Sequence, residues 1–196
     1  MKLVIIKYNA GNIQSVSYAL ERLGVAYHIT DEAEEILSAD KVIFPGVGEA
    51  QSTMAYLKEK KLDLLIKNLK QPMLGICLGM QLMCSSSEEN NTPCLGIFEE
   101  EVKKFIPKNR EKVPHMGWNR LEVMPSWLPS SLQGEFVYFI HSYYVPVNPY
   151  TVASSNYILP FSAAMKKDNF YAVQFHPEKS ANPGELVLKS FLNGVL

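Results

Sequence analysis

Short β-branched apolar runs alternate with amphipathic stretches of helical period through the first half of this chain, and that alternation restricts the fold more than any other feature. Lys2 to Lys7 reads as a first strand. Asn12 can cap a helix whose apolar residues Ile13, Val16, Leu20 and Leu23 keep the helical period, and Gly24 falls where such a helix ends. Val25 to Thr30 gives a second strand and Lys41 to Phe44 a third, which runs into Pro45-Gly46-Val47-Gly48. Helical periodicity follows from Thr53 to Leu69, broken near Lys60-Lys61, and Pro72 to Ile76 is the fourth strand. Strand and helix in succession require crossovers between parallel strands, so the expected architecture is α/β: an open, mostly parallel sheet flanked by helices.

Beyond Glu99 the runs shorten and are separated by Pro, Asn and Gly. Asn119 to Val123, Phe136 to Phe139, Ala163 to Lys166 and Phe170 to Phe175 suggest antiparallel strands added to the same sheet, with Lys167-Asp168-Asn169 as a hairpin turn. Gly184 to Leu196 returns as a closing helix. With 196 residues and no repeat or linker, a single domain over residues 1–196 is expected.

Nineteen Lys and Arg against 20 Asp and Glu leave no net field to draw the protein toward nucleic acid or an anionic membrane. The apolar runs are far shorter than a membrane span, and Met1-Lys2 leads straight into a strand. A cytosolic protein without a signal peptide is expected. Three cysteines, Cys77, Cys84 and Cys94, lack the spacing of a disulfide framework or zinc site. Neither metal nor cofactor is implied.

The chemistry centres on Gly75-Ile76-Cys77-Leu78-Gly79, which follows an apolar strand and opens a helix. That is the nucleophile-elbow pattern with Cys in place of Ser. The turn strains the nucleophile's backbone and crowds its neighbours, so flanking residues without Cβ remove clashes. A sulfur at the start of a helix sits at the positive end of the macrodipole, which favours the attacking thiolate. A lone cysteine is ordinarily a buried structural residue. The elbow context overturns that for Cys77, whereas Cys84 and Cys94, without it, read as structural.

A thiol nucleophile needs a base. Of His28, His115, His141 and His176, the last stands at the C-terminal end of the strand Phe170 to Phe175, the edge where open α/β sheets bind ligands. Glu178, two residues on and stiffened by Pro177, can orient its imidazole as a third member of a triad. The backbone N–H of Leu78 is placed to donate to an oxyanion, and Gly46-Val47-Gly48 can supply a second donor through a main-chain N–H that its glycines allow to turn. A dinucleotide-binding loop would want a third Gly where Gln51 stands, so nucleotide binding is discounted.

With the cysteine elbow and Phe175-His176-Pro177-Glu178 both present, the chain resembles the class I glutamine amidotransferases over nearly its whole length. Further segments resemble the branch that serves histidine biosynthesis: Ala10-Gly11-Asn12, Ser87-Glu88-Glu89, Pro114 to Asn119, Tyr138 to Tyr144 and His176 to Ser180. The resemblance implies that Cys77 attacks the carboxamide of glutamine, that His176 passes its proton to the departing ammonia, and that water hydrolyses the glutamyl thioester. It implies that Gln81 and Glu89 engage the substrate's amino-acid end and that Ser142 and Tyr143 lie near its carboxylate, with Gly46, Gly75 and His141 at further substrate positions. It also implies a (β/α)₈-barrel cyclase as partner in a heterodimer, contacted through Asn12, Trp118, Tyr138 and Lys179. In the family the Gly46-Val47-Gly48 peptide reorients when the cyclase is liganded.

Departures from the pattern are Lys7-Tyr8-Asn9 before Gly11, Glu49-Ala50 after the glycine loop, and Cys94 where Gly is common. Three other readings stay open from sequence. The same chemistry could supply a sugar-modifying enzyme of surface polysaccharide synthesis, a small thiol peptidase could use this sheet, or a non-enzymatic subunit could retain the fold.

Overall fold

A computed structural model describes residues 1–9 and 13–194 of the chain. Asn12, expected as a helix cap and partner contact, lies outside the described residues. The first half runs β1 (Leu3–Ile6), α1 (Ile13–Arg22), β2 (His28–Thr30), α2 (Ala33–Leu37), β3 (Lys41–Phe44), α3 (Ala50–Glu59), α4 (Leu62–Lys67), β4 (Met73–Ile76) and α5 (Leu78–Leu82). The second half adds β5 (Ser86–Ser87), β6 (Thr92–Pro93), β7 (Glu101–Lys104), β8 (His115–Arg120), β9 (Glu122–Val123), β10 (Phe136–His141), β11 (Tyr143–Tyr144), β12 (Thr151–Asn156), β13 (Pro160–Lys167), β14 (Phe170–Val173) and α6 (Ala181–Asn193).

An eight-stranded sheet in the order β2-β1-β3-β4-β14-β13-β12-β9 forms the centre. Its pairings from β2 to β14 are parallel and those from β14 to β9 antiparallel. The parallel strands are apolar without interruption because both faces are covered. In β1, Val4 and Ile6 pack into one core with Ile36, Met54, Leu57 and Ile66, while Leu3 and Ile5 pack into the other with Val16, Leu20, Val187 and Phe191. Thus α2 to α5 cover one face, and α1 and α6 the other. No helix among the described residues is long and apolar enough to cross a membrane.

The expected break near Lys60-Lys61 is a separation of α3 from α4, with Lys61 in the left-handed region at φ 56°. The hairpin turn likewise places Asp168 at φ 51° between paired Lys167 and Phe170. Three expectations need correction. The closing helix begins at Ala181, three residues before Gly184. The second strand is only His28–Thr30, at the sheet's edge. Of the runs around Asn119 and Phe136 only Glu122–Val123 extends the main sheet, as β9 beside β12; β8 and β10 pair with each other as a separate antiparallel ribbon, Tyr138 opposite Trp118. Alternation explains why. His115, Val137, Phe139 and His141 turn inward and are buried, while Met116, Trp118 and Phe136 turn to solvent.

Candidate active site

Cys77 directly follows β4 at the C-terminal edge of the sheet, and its backbone is forced to φ 51°, ψ −107°. A non-glycine residue in that region is held there by its surroundings, and the surroundings here are backbone. The Cys77 N–H donates to Val173 O at 2.7 Å, tying the elbow to β14. A Cβ on Gly79 would lie 2.2 Å from Phe44 O, and one on Gly46 2.1 Å from Ile76 O and 2.5 Å from Leu78 N. The loop after β3 and the elbow after β4 are therefore packed main chain to main chain. Gly75 sits beneath them, where a Cβ would meet Met83 Sδ at 2.5 Å.

Pairing of β4 with β14 in parallel brings both C-terminal ends to one place, so the chain leaving β14 delivers His176 beside Cys77. His176 Nδ1 is 2.7 Å from Glu178 Oε1, with both side chains almost fully buried. The turn is fixed from its neighbours: His176 N–H donates to Tyr138 O at 2.9 Å, and Ser180 Oγ donates to His176 O at 2.6 Å. Burial disfavours the imidazolium, but hydrogen bonding with and charge on Cys77, followed by Glu178, outweigh it and push His176 up to about 10. Nε2 has no partner at ordinary hydrogen-bond length and angle. The sulfur and the ring are therefore close neighbours without a hydrogen bond of ordinary geometry.

In front of Cys77 lies a cleft of about 290 Å³ lined by Gly46, Val47, Gly48, Leu78, Gln81, Glu89, Pro114, Ile140, His141, Ser142 and Tyr143. Nine expected site residues meet there: Cys77, Val47, Leu78, Gly46, Gln81, Glu89, His141, Ser142 and Tyr143. Gly75 does not line it, being packed beneath the elbow, and neither do His176 and Glu178.

The polar groups of the cleft are differently engaged. Gln81 Nε2 donates to Tyr143 O at 3.0 Å and Gln174 Oε1 at 2.9 Å, which uses both of its hydrogens and leaves Oε1 as the free end. Glu89 accepts from Ala50 N at 2.8 Å; burial raises its carboxyl pKa, with that bond opposing. Among the donors, the N–H of Leu78 belongs to the first turn of α5, where helix geometry leaves amides unpaired. The glycine loop that carries the Val47 N–H is held by Tyr8, whose phenol donates to Pro45 O at 2.6 Å. Burial, then charge on Cys77, push that phenol up, and the Val47 amide opposes them.

Of the expected interface residues, Trp118 is 52% exposed and meets Tyr138 edge-on at 6.0 Å between ring centres. Lys179 is exposed on the turn that holds Glu178. Core packing, the competing reading for Trp118, does not apply. Gln174 was missed: fully buried, it places Nε2 3.5 Å from Cys77 Sγ. The available signal was a carboxamide inside an apolar strand run, where an unpartnered polar group is costly. Among the described residues, no group of three or more His, Cys, Asp or Glu could hold a metal ion.

The family model for glutamine amidotransferase class I matches residues 4–194, and the chain belongs to that family. It is 62% identical over 194 residues to the imidazole glycerol phosphate synthase subunit HisH of Bacteroides fragilis strain YCH46, covering 98% of this chain and 99% of that protein. It is 45% identical over 195 residues to the protein of that name in Escherichia coli K12, covering 98% and 99%. Among solved structures, one described as a glutamine amidotransferase superposes with a TM-score of 0.75 at 19% identity, covering 97% of each chain. Another glutamine amidotransferase, from Thermotoga maritima, superposes at 0.63 with 16% identity, covering 98% of this chain and 83% of that one. At such identities these two speak for the fold alone.

Proposed function

We propose that this chain is the glutaminase subunit of an imidazole glycerol phosphate synthase of histidine biosynthesis, residues 1–196 acting as one glutaminase domain in the cytoplasm. The thiol proton of Cys77 passes to His176, and the thiolate attacks the carboxamide carbon of glutamine. His176 returns the proton to the amide nitrogen, which leaves as ammonia. Water then cleaves the glutamyl thioester to glutamate and restores the thiol. Glu178 keeps the imidazole oriented and its cation favoured. Leu78 N–H receives the oxyanion, joined by Val47 N–H once the Gly46-Val47-Gly48 peptide reorients. Gln81 Oε1 and the Glu89 carboxylate suit the substrate's ammonium, while Ser142 and Tyr143 face its carboxylate.

Ammonia released into neutral water becomes non-nucleophilic ammonium, so a sealed route to a partner is of use. The partner is a (β/α)₈-barrel cyclase forming imidazole glycerol phosphate and AICAR, docked through Asn12, Trp118, Tyr138 and Lys179. What supports the reading above all is that residues from separate segments, near Val47, Cys77, Glu89 and Ser142, converge around one cleft whose sulfur is neighboured by His176. Glutamine turnover with and without the cyclase and its nucleotide substrate tests it. Release of ammonia that rises with the liganded cyclase is expected; equal rates in both conditions would refute the coupling, and none in either would refute the activity.

A further inference from the structure

The polar core behind the cleft fixes the direction of its own hydrogen bonds. A backbone carbonyl only accepts, so the end of Gln81 that lies 3.0 Å from Tyr143 O is its NH₂. The second hydrogen of that NH₂ goes to Gln174 Oε1 at 2.9 Å. The amide of Gln174 is then oriented without ambiguity, and its Nε2 is the atom 3.5 Å from Cys77 Sγ. The same carbonyl fixes the neighbouring rings. His141 Nδ1, 2.7 Å from Tyr143 O, carries the hydrogen, which leaves Nε2 to accept from His115 Nδ1 at 3.0 Å. Burial holds the two imidazoles down, to about 3 for His141 and about 4 for His115, so the network keeps one set of hydrogens across neutral pH.

The sulfur thus has two polar neighbours of opposite preference. Ile140 O, at 3.8 Å, can only accept and suits the thiol. Gln174 Nε2 can only donate and suits the thiolate, to which a hydrogen bond is charge-assisted. Gln174 is completely buried, and its side chain makes no use of solvent.

We propose that Gln174 is a further catalytic residue: its Nε2–H donates to the Cys77 sulfur, favours the thiolate once the thiol proton has moved to His176, and is held in line by Gln81. This rests on the glutaminase reading of Cys77.

The test is alkylation of Cys77 by iodoacetamide in the full chain as a function of pH, read by mass on the Cys77 peptide. Burial pushes Cys84 well up and Cys94 up to about 12, so neither interferes near neutral pH. The titratable groups acting on the sulfur are His176, backed by Glu178, and Tyr8, and all are retained in the variants. In Gln174→Met, which fills the volume without a donor, the inflection is expected to rise by about 1 pH unit, a tenfold loss of thiolate at a given pH below it. Glutaminase kcat should fall by a similar factor, with a smaller change in KM. Gln174→Glu, which sets a carboxylate against the sulfur, should move the inflection further. A purely structural role would lower the melting temperature yet leave the inflection of the folded protein where it is in wild type, and that result would overturn the proposal. If Gln174→Met does not fold, Gln174→Asn, which withdraws the donor by one methylene, is read by the same criterion. Alkylation needs no glutamine, so a wild-type chain that released no ammonia would count against the proposed function and leave this test standing.

Discussion

The elbow around Cys77 and the ribbon formed by β8 and β10 sit on either side of the same cleft and are built on opposite principles. The elbow is held by backbone: Gly46 and Gly79 admit main-chain approaches that any Cβ would block, and the Cys77 amide is bonded to the neighbouring strand. The ribbon has one buried face of His115, Val137, Phe139 and His141, and one face on which Met116, Trp118 and Phe136 stand in solvent. Position at the first is set by what cannot move. The second leaves apolar surface available to something outside the chain, and exposed aromatic residues of this kind serve as interface anchors.

If that contrast holds, substitutions in the two regions should separate chemistry from association. The largest effect on activity is expected from Cys77→Ala, which should abolish ammonia release while leaving affinity for the cyclase unchanged by titration calorimetry. The largest effect on stability should come from Gly79→Ala. The added Cβ would fall 2.2 Å from Phe44 O, and because that is backbone against backbone a loss of about 3 kcal/mol or more is expected in denaturant unfolding.

Next comes Glu178→Gln, which replaces the 2.7 Å acceptor of His176 and should lower turnover about a hundredfold or more with the fold intact. It should also move the pH profile. With His176 raised to about 10, the imidazolium that protonates the leaving nitrogen is present at neutral pH and is lost as pH rises through about 10. Wild-type turnover should fall along that alkaline limb, and in Glu178→Gln, with one stabiliser of the cation removed, the limb should move to lower pH. The smallest effect on the chain itself is expected from Trp118→Ala: a melting temperature close to wild type, with cyclase binding weakened about tenfold or more. Loss of stability in that variant would mean that the ribbon's outer face supports the fold and would dissolve the contrast.

How legible these regions were in the sequence follows the same division. The elbow could be read because its constraint is local: two glycines two residues from a cysteine, after an apolar strand, leave few conformations. His176 and Glu178 could be read because they flank one proline at the end of a strand. The ribbon could not, since the partner of Trp118 is Tyr138, twenty positions away in register, and nothing near either residue states which sheet it joins. Helix α2 escaped notice because it is short, charged, and buries only Ile36. Gln174 and Tyr8 were missed because each acts through contacts with residues far along the chain, Gln174 on the sulfur and Gln81, and Tyr8 under the glycine loop. Of the departures from the family pattern, Glu49 has a clear structural use: it caps α3 by accepting from Ser52 N at 2.8 Å.

Both halves of the contrast require that the Cys77 sulfur be the atom that meets glutamine. An electrophilic chloroketone analogue of glutamine interrogates this directly when the labelled peptide is identified in the presence of the cyclase. One equivalent bound at Cys77, prevented by excess glutamine and absent in His176→Ala at neutral pH, is the predicted result. Label at Cys84 or Cys94, or at Cys77 without protection by glutamine, would contradict it.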